Sequence, residues 1–198
     1  MDPRQQRTTD ALRGVIMQIA TEEPIEQVAV AEIARRAKIT RSTFYNQTTS
    51  PAALLTKYLS AELDAVREGF VERITETTGS LADMWAASEQ ELVDHLVRHA
   101  AIYERSLAAS ETGRLGPTLR SLLADHIEQS LREHLTQFPQ VAPESNQLDR
   151  DMYAAFLAHG IVGTFEVWLR SPAPRDSTAP TRIILDSMPP WWFEPLQR

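Results

Sequence analysis

An all-α fold is predicted for this chain, with a helix-turn-helix close to the amino terminus and a longer helical body behind it. Three observations predict it. No segment alternates apolar and polar residues between tight turns, as a half-buried strand would. Apolar residues recur instead at steps of three and four through most of the sequence. Between Val30 and Tyr45 the pattern breaks into two short helical pieces joined by a turn.

The first of these pieces places Val30, Ile33, Ala34 and Ala37 on one apolar face. Lys38 and Ile39 then form the turn, and Thr40 stands where an N-cap hydroxyl accepts a backbone N–H of the next helix. The second piece directs Arg41, Ser42, Tyr45 and Asn46 outward while Phe44 turns inward as its anchor. Arginine, serine, tyrosine and asparagine are side chains that reach phosphates and base edges, so double-stranded DNA is the expected partner.

After a Ser50-Pro51 pair suited to a helix start, residues 51–77 carry Leu55, Leu59, Leu63, Val66, Phe70 and Ile74 as one apolar stripe. This helix ties the head, residues 1–50, to the body, residues 51–198. Further helices are predicted over residues 81–87, 89–108 with a break near Ala100, 117–138, 147–169 and 181–188. Residues 113–117, 139–145 and the prolines between 172 and 180 separate them. The stretch from Met152 to Phe165 is apolar almost all round and needs cover on several sides. His159 interrupts it and Glu166 ends it, which argues against a membrane span.

Composition narrows the function classes. The chain has 198 residues, 42% of them hydrophobic, enough for a substantial core. With no cysteine there is no disulfide, thiol nucleophile or cysteine metal site, in keeping with a reducing cytoplasm. The first ten residues lack the apolar centre of a signal peptide, and no apolar run is read as long enough to span a membrane. The net charge is −7. It is unevenly spread, because residues 1–57 hold eight Lys or Arg against six Asp or Glu and the remainder is strongly acidic. A weakly basic head on an acidic body approaches DNA head-first. Glycine-rich phosphate loops and nucleophile elbows are absent from the sequence, so no catalytic residue and no cofactor are assigned.

Ala31-Glu32-Ile33-Ala34, the run from Ala37 through Thr43 to Tyr45, and Leu54 resemble the signature of the TetR family of bacterial transcriptional regulators. The resemblance covers about the first quarter of the chain. Pro24, Thr48 and Pro51 depart from it, standing where the family has glycine, an apolar or aromatic residue, and lysine. The resemblance implies a three-helix head and a carboxy-terminal body that dimerises and binds a small-molecule effector. The expected function is a homodimeric repressor of a palindromic operator, released by a small apolar effector. A helical interaction protein regulated by a protein partner is the alternative.

The DNA-reading set is Arg41, Ser42 and Tyr45, with Arg36, Thr40, Thr43, Asn46 and Gln47 as lesser members. Trp85, Tyr103, Tyr153 and Phe156 are expected to line an effector pocket, although aromatics at helical spacing are more often plain core. Gly160, Gly163 and Trp168 are expected at the dimer contact, where glycine permits close helix approach. Glu91, His95 and His99 share a helix face at steps of four and form a conceivable metal set. The commoner reading of such histidines is exposure to solvent, as for His126 and His134, and no metal is assigned.

Overall fold

The computed structural model describes residues 3–76, 80–137 and 146–193. Among these residues the helices are α1 (Pro3–Glu22), α2 (Val30–Arg36), α3 (Arg41–Tyr45), α4 (Pro51–Glu76), α5 (Leu81–Arg98), α6 (Ala100–Ala108), α7 (Pro117–Gln137), α8 (Gln147–Arg170) and α9 (Ala179–Ser187). Short 3-10 turns occupy Ile25–Gln27 and Pro190–Phe193. The chain condenses into two compact units, one of residues 1–61 with 99–120 and one of residues 62–98 with 121–198. The first unit is therefore larger than a head cut at residue 50, because α6 and the start of α7 join it.

In the first unit α1 buries Leu12, Ile16, Ile19 and Ala20, a stripe at steps of three, four and one that keeps to one side of the helix. Against it pack Ile33 and Ala34 of α2, Phe44 of α3 and Leu54, Leu55 and Leu59 of α4, all at 5% exposure or less. α3 is only five residues long and cannot sustain itself by its own hydrogen bonds. Its start is held by Thr40, whose side-chain oxygen accepts the Thr43 N–H at 3.1 Å. Lys38 takes φ 54°, the left-handed conformation that lets α2 and α3 turn sharply. Ser50 caps α4 by accepting the Ala53 N–H at 3.0 Å, which is the helix start expected of the Ser50-Pro51 pair. Further along, the Arg105 side chain donates to the Thr21 carbonyl at the end of α1, and Glu26 accepts the Thr118 N–H at 3.1 Å. Gly116 lies so close to Glu26 that a Cβ there would sit 2.9 Å from its carboxylate oxygen.

The second unit packs the later part of α4 with α5, α7, α8 and α9. Its core holds Leu63, Leu92, Val93, Leu96, Ile127, Leu131, Phe165 and Leu169. Trp85, His134 and Trp192 cluster within it, Trp85 meeting His134 edge-on with ring centroids 5.0 Å apart and His134 stacking on Trp192 at 4.8 Å. α8 opens with a capping box between Asn146 and Asp149. The proline-rich connection to α9 is pinned rather than loose. Arg175 donates to the Leu169 and Ser171 carbonyls, and the Trp168 indole N–H donates to the Asp176 carbonyl at 2.9 Å.

Several sequence expectations change. Residues 81–98 form one uninterrupted helix, and the break expected near Ala100 falls at His99. α1 went unassigned because its polar residues outnumber the apolar stripe. Within α8 an 18-residue stretch with a mean hydropathy of 1.3 is long and apolar enough to cross a membrane, contrary to the expectation that no run is. Its buried residues, Ala154, Ala158, Ile161, Val162, Phe165, Glu166 and Leu169, show that one side of it is a core helix of the second unit. The expected loop at residues 139–145 and the side chains of Phe70 and Ile74 lie outside the described residues.

The left-handed Lys38 generates a prediction. A residue with a Cβ is strained there and glycine is not, so Lys38→Gly should stabilise the first unit by about 0.5–1 kcal/mol after the added freedom of the unfolded chain is deducted. Denaturant unfolding followed by helical ellipticity measures this. A loss of stability would contradict the turn geometry.

Candidate nucleic-acid interface and body sites

The outer surface of α3 follows from its anchor. Phe44 is fully buried, whereas Arg41, Ser42 and Tyr45 of the same short helix are exposed. Tyr45 is 58% exposed, and Asn46 at the C-cap is exposed as well. Thr40 and Thr43 join the same surface through a hydroxyl cluster, in which Thr40 Oγ1 lies 2.8 Å from Thr43 Oγ1 and 2.9 Å from Ser42 Oγ. Gln47 is half-buried. A row of one guanidinium, hydroxyls, a phenol and an amide offers donors and acceptors of the kind that pair with base edges and phosphates.

Arg36 differs from the sequence reading. Its guanidinium is bound to Glu22 and Glu32, each at 2.6 Å, so it is a strut between α1 and α2 and not a free cation for DNA. Glu32 also accepts from Arg35, and the two guanidinium partners, Arg35 first, hold its carboxyl down at about 2. Thr40 likewise acts foremost as the cap of α3. Arg41, by contrast, has no ion pair among the described residues.

The four aromatics expected to share a pocket fall in different surroundings. Trp85 is buried in the second unit and Tyr103 in the core of the first. Tyr153 and Phe156 point outward from α8, Phe156 at 77% exposure. They belong instead to an apolar face that continues through Met152, Gly160, Gly163 and Val167 at helical spacing. An open groove of about 530 Å³ runs along this face between α8 and α9, lined by Gly160, Gly163, Val167, Trp168, Pro180 and Ile183. A Cβ added at either glycine would meet nothing within 4 Å, so neither glycine serves packing within the protomer.

The histidines also differ from expectation. His95 is fully buried, not on a polar surface, and its Nδ1 lies 3.5 Å from a carboxylate oxygen of Glu62 on α4 in place of the Glu91 that spacing favoured. His134 is 1% exposed in the stack of rings. Burial pushes the imidazoles of both His126 and His134 down to about 4, so each is neutral at pH 7.

A polar site that sequence reasoning missed lies inside the second unit. Glu89 on α5 is only 4% exposed, and its Oε2 makes no hydrogen bond. It borders a cavity of about 30 Å³ together with Arg67 of α4, Trp85 of α5 and His126, Ile127 and Leu131 of α7. Desolvation raises the Glu89 carboxyl to about 7. Arg67 is held by Glu133 at 2.6 Å and Asp64 at 3.3 Å, while its buried Nε has no hydrogen-bond partner. The signal available in the sequence was a glutamate at a position where the stripe through Trp85, Leu92 and Leu96 calls for an apolar residue.

No family model matches the sequence, and no curated protein is significantly similar to it. Solved structures do match in fold. FadR from Thermus thermophilus, a TetR-family transcriptional repressor in complex with lauroyl-CoA, superposes with a TM-score of 0.62 at 17% identity over 92% of this chain and 91% of that one. A TetR-family transcriptional regulator from Streptomyces coelicolor gives 0.58 at 17% identity over 91% of this chain and 78% of the other. RolR in complex with resorcinol gives 0.56 at 18% identity over 94% of this chain and 89% of the other. The chain has the all-α fold of TetR-family regulators.

Glu89 generates a pH prediction with a definite sign. The folded chain keeps the proton up to about pH 7, whereas the unfolded chain releases it near the ordinary 4.5, so Glu89 costs stability progressively as pH rises between these values. Glu89→Gln should match the wild type near pH 4.5 and exceed it by up to about 3 kcal/mol above pH 7. His126 and His134 act in the opposite sense, losing stability as pH falls from 6.5 toward 4. Because both proteins contain them, the difference between wild type and variant isolates Glu89. A difference that does not change with pH would contradict the buried carboxyl.

Proposed function

We propose that this chain is a homodimeric, ligand-responsive DNA-binding transcriptional regulator acting in the cytoplasm. The observation that carries the reading is the outward row Arg41, Ser42, Tyr45 and Asn46 on a helix capped by Thr40 and anchored by Phe44. A helix of this kind reads DNA by entering the major groove, with its first residues nearest the bases. The fold shared with TetR-family regulators, some of them solved with lauroyl-CoA or resorcinol bound, supports the same reading.

A second copy of the chain is the partner that best fits the exposed face of α8 and α9. Isolated apolar residues on a surface need no explanation, but a continuous face from Met152 to Val167, widened by Ile183, does. Four helices, two from each protomer, would bury it around a two-fold axis. The dimer presents two copies of α3, so the operator is an inverted repeat whose half-sites lie about one helical turn, 34 Å, apart. Repression rather than activation, and a small effector with a largely apolar body, complete the proposal. α4 contributes to both units, so occupation of the body by a ligand changes the spacing of the two reading helices and lowers operator affinity.

Selection from a random duplex library tests the DNA-reading claim, with Arg41→Ala as the companion variant. The wild type should enrich an inverted repeat. Arg41→Ala should bind that repeat more weakly by about 1–3 kcal/mol and lose preference at one base pair per half-site, with thermal unfolding unchanged. Equal affinity of variant and wild type removes Arg41 from the reading surface, and a library that yields no enriched duplex overturns the DNA-binding reading.

A further inference from the structure

The cavity beside Glu89 has a composition that the fold does not require. A buried carboxyl whose oxygen finds no hydrogen-bond donor is costly, and an apolar residue of similar volume at position 89 would complete the core between α4, α5 and α7. The charges nearby point one way. Arg67 is already paired with two carboxylates, Asp64 and Glu133, so with Glu89 ionised the groups around the cavity carry more negative than positive charge. His126 adds no positive charge, being held neutral by burial. The indole of Trp85 supplies an aromatic wall, and an aromatic ring together with a carboxylate is a favourable setting for an organic cation. A hard divalent cation is a poor fit, since it requires about six oxygen ligands and the cavity offers one carboxylate and serine hydroxyls.

We infer that the cavity is the head-group subsite of the effector, and that the effector is a small organic amine whose ammonium group pairs with Glu89 against Trp85. This inference rests on the ligand-responsive reading above and names the ligand class. The space of about 30 Å³ accepts the ammonium head. The apolar remainder of the molecule separates the walls formed by Val66, Ile127 and Leu131, and Val66 and Arg67 are residues of α4, the helix shared by both units. Entry of the amine therefore acts directly on α4. It also supplies the missing donor to Glu89 and stabilises its ionised form, so binding strengthens as pH rises through 7.

Thermal unfolding in the presence of butylammonium and benzylammonium, compared with butanol and benzyl alcohol, tests the inference. At millimolar concentration the amines should raise the melting temperature of the wild type by several degrees and the alcohols should not. Glu89→Gln should lose the response to amines, with at least a tenfold weaker dissociation constant by calorimetry. Because the variant is predicted to fold at least as well as the wild type, its loss of response is not a loss of structure. Amines without effect, alcohols as effective as amines, or an undiminished response in Glu89→Gln each overturn the amine site. Titration of the selected duplex separates the two readings. Amines that bind through Glu89 yet leave DNA affinity unchanged overturn the regulatory reading and uphold the amine site, and DNA release by compounds indifferent to Glu89 does the reverse.

Discussion

A five-residue helix has too few hydrogen bonds of its own to persist, and the surface proposed to read DNA depends on meeting that constraint from outside. Three devices do so. Phe44 buries its whole side chain, Thr40 satisfies an N-terminal N–H, and Lys38 adopts the left-handed turn that sets the approach of α2 to α3. The Arg36 bridge from Glu32 to Glu22 ties α2 to the end of α1, so the support for α3 is itself braced. Only a surface held this firmly can present Arg41, Ser42 and Tyr45 in fixed register to bases. The polar row is thus a consequence of the apolar anchor beneath it.

The second unit obeys a different logic, in which stability is given up at chosen places. Glu89 is buried with an oxygen that makes no hydrogen bond, and burial holds His134 neutral among the rings of Trp85 and Trp192. Polar groups in such positions reduce the margin of a fold that is marginal to begin with. α8 shows the same division across its own width. One side supplies Ala158, Ile161 and Phe165 to the core, and the other leaves Phe156 and Val167 in water. A cavity with an unmet hydrogen bond and an apolar face with no cover within the protomer are where a ligand and a second protomer have most to offer energetically.

Much of the fold was legible because helical periodicity is a property of short windows. The bounds of α4, α7 and α8 fall within one residue of those that spacing indicates, and the Thr40 cap and Phe44 anchor can be read from side-chain type and position alone. α1 escaped because its stripe of Leu12, Ile16 and Ile19 is narrow among polar neighbours. What depends on tertiary packing was not legible. The sequence contains no local sign that His95 and His134 face inward, that Arg36 is engaged by the distant Glu22, or that Phe156 faces outward. The outward placement of Tyr153 and Phe156 was not legible for that reason, since apolar periodicity marks two opposite sides of α8 and does not say which one is covered. Glu89 was not legible as a buried group because a single carboxylate within an apolar stripe has the same local pattern as one turned to solvent.

The central claim is that the exposed face of α8 and α9 joins two protomers so that two copies of α3 read one duplex. Sedimentation velocity of the protein mixed with its selected inverted-repeat duplex measures this directly, with Gly163→Trp as the variant. Among the described residues a Cβ at Gly163 meets nothing within 4 Å, so the position has room within the protomer and the added ring lies on the face offered to a partner. The account predicts two wild-type protomers on each duplex, and for Gly163→Trp a folded monomer with much weaker binding. A wild-type protein that binds as one protomer, or a variant that still binds as two with unchanged affinity, would contradict it.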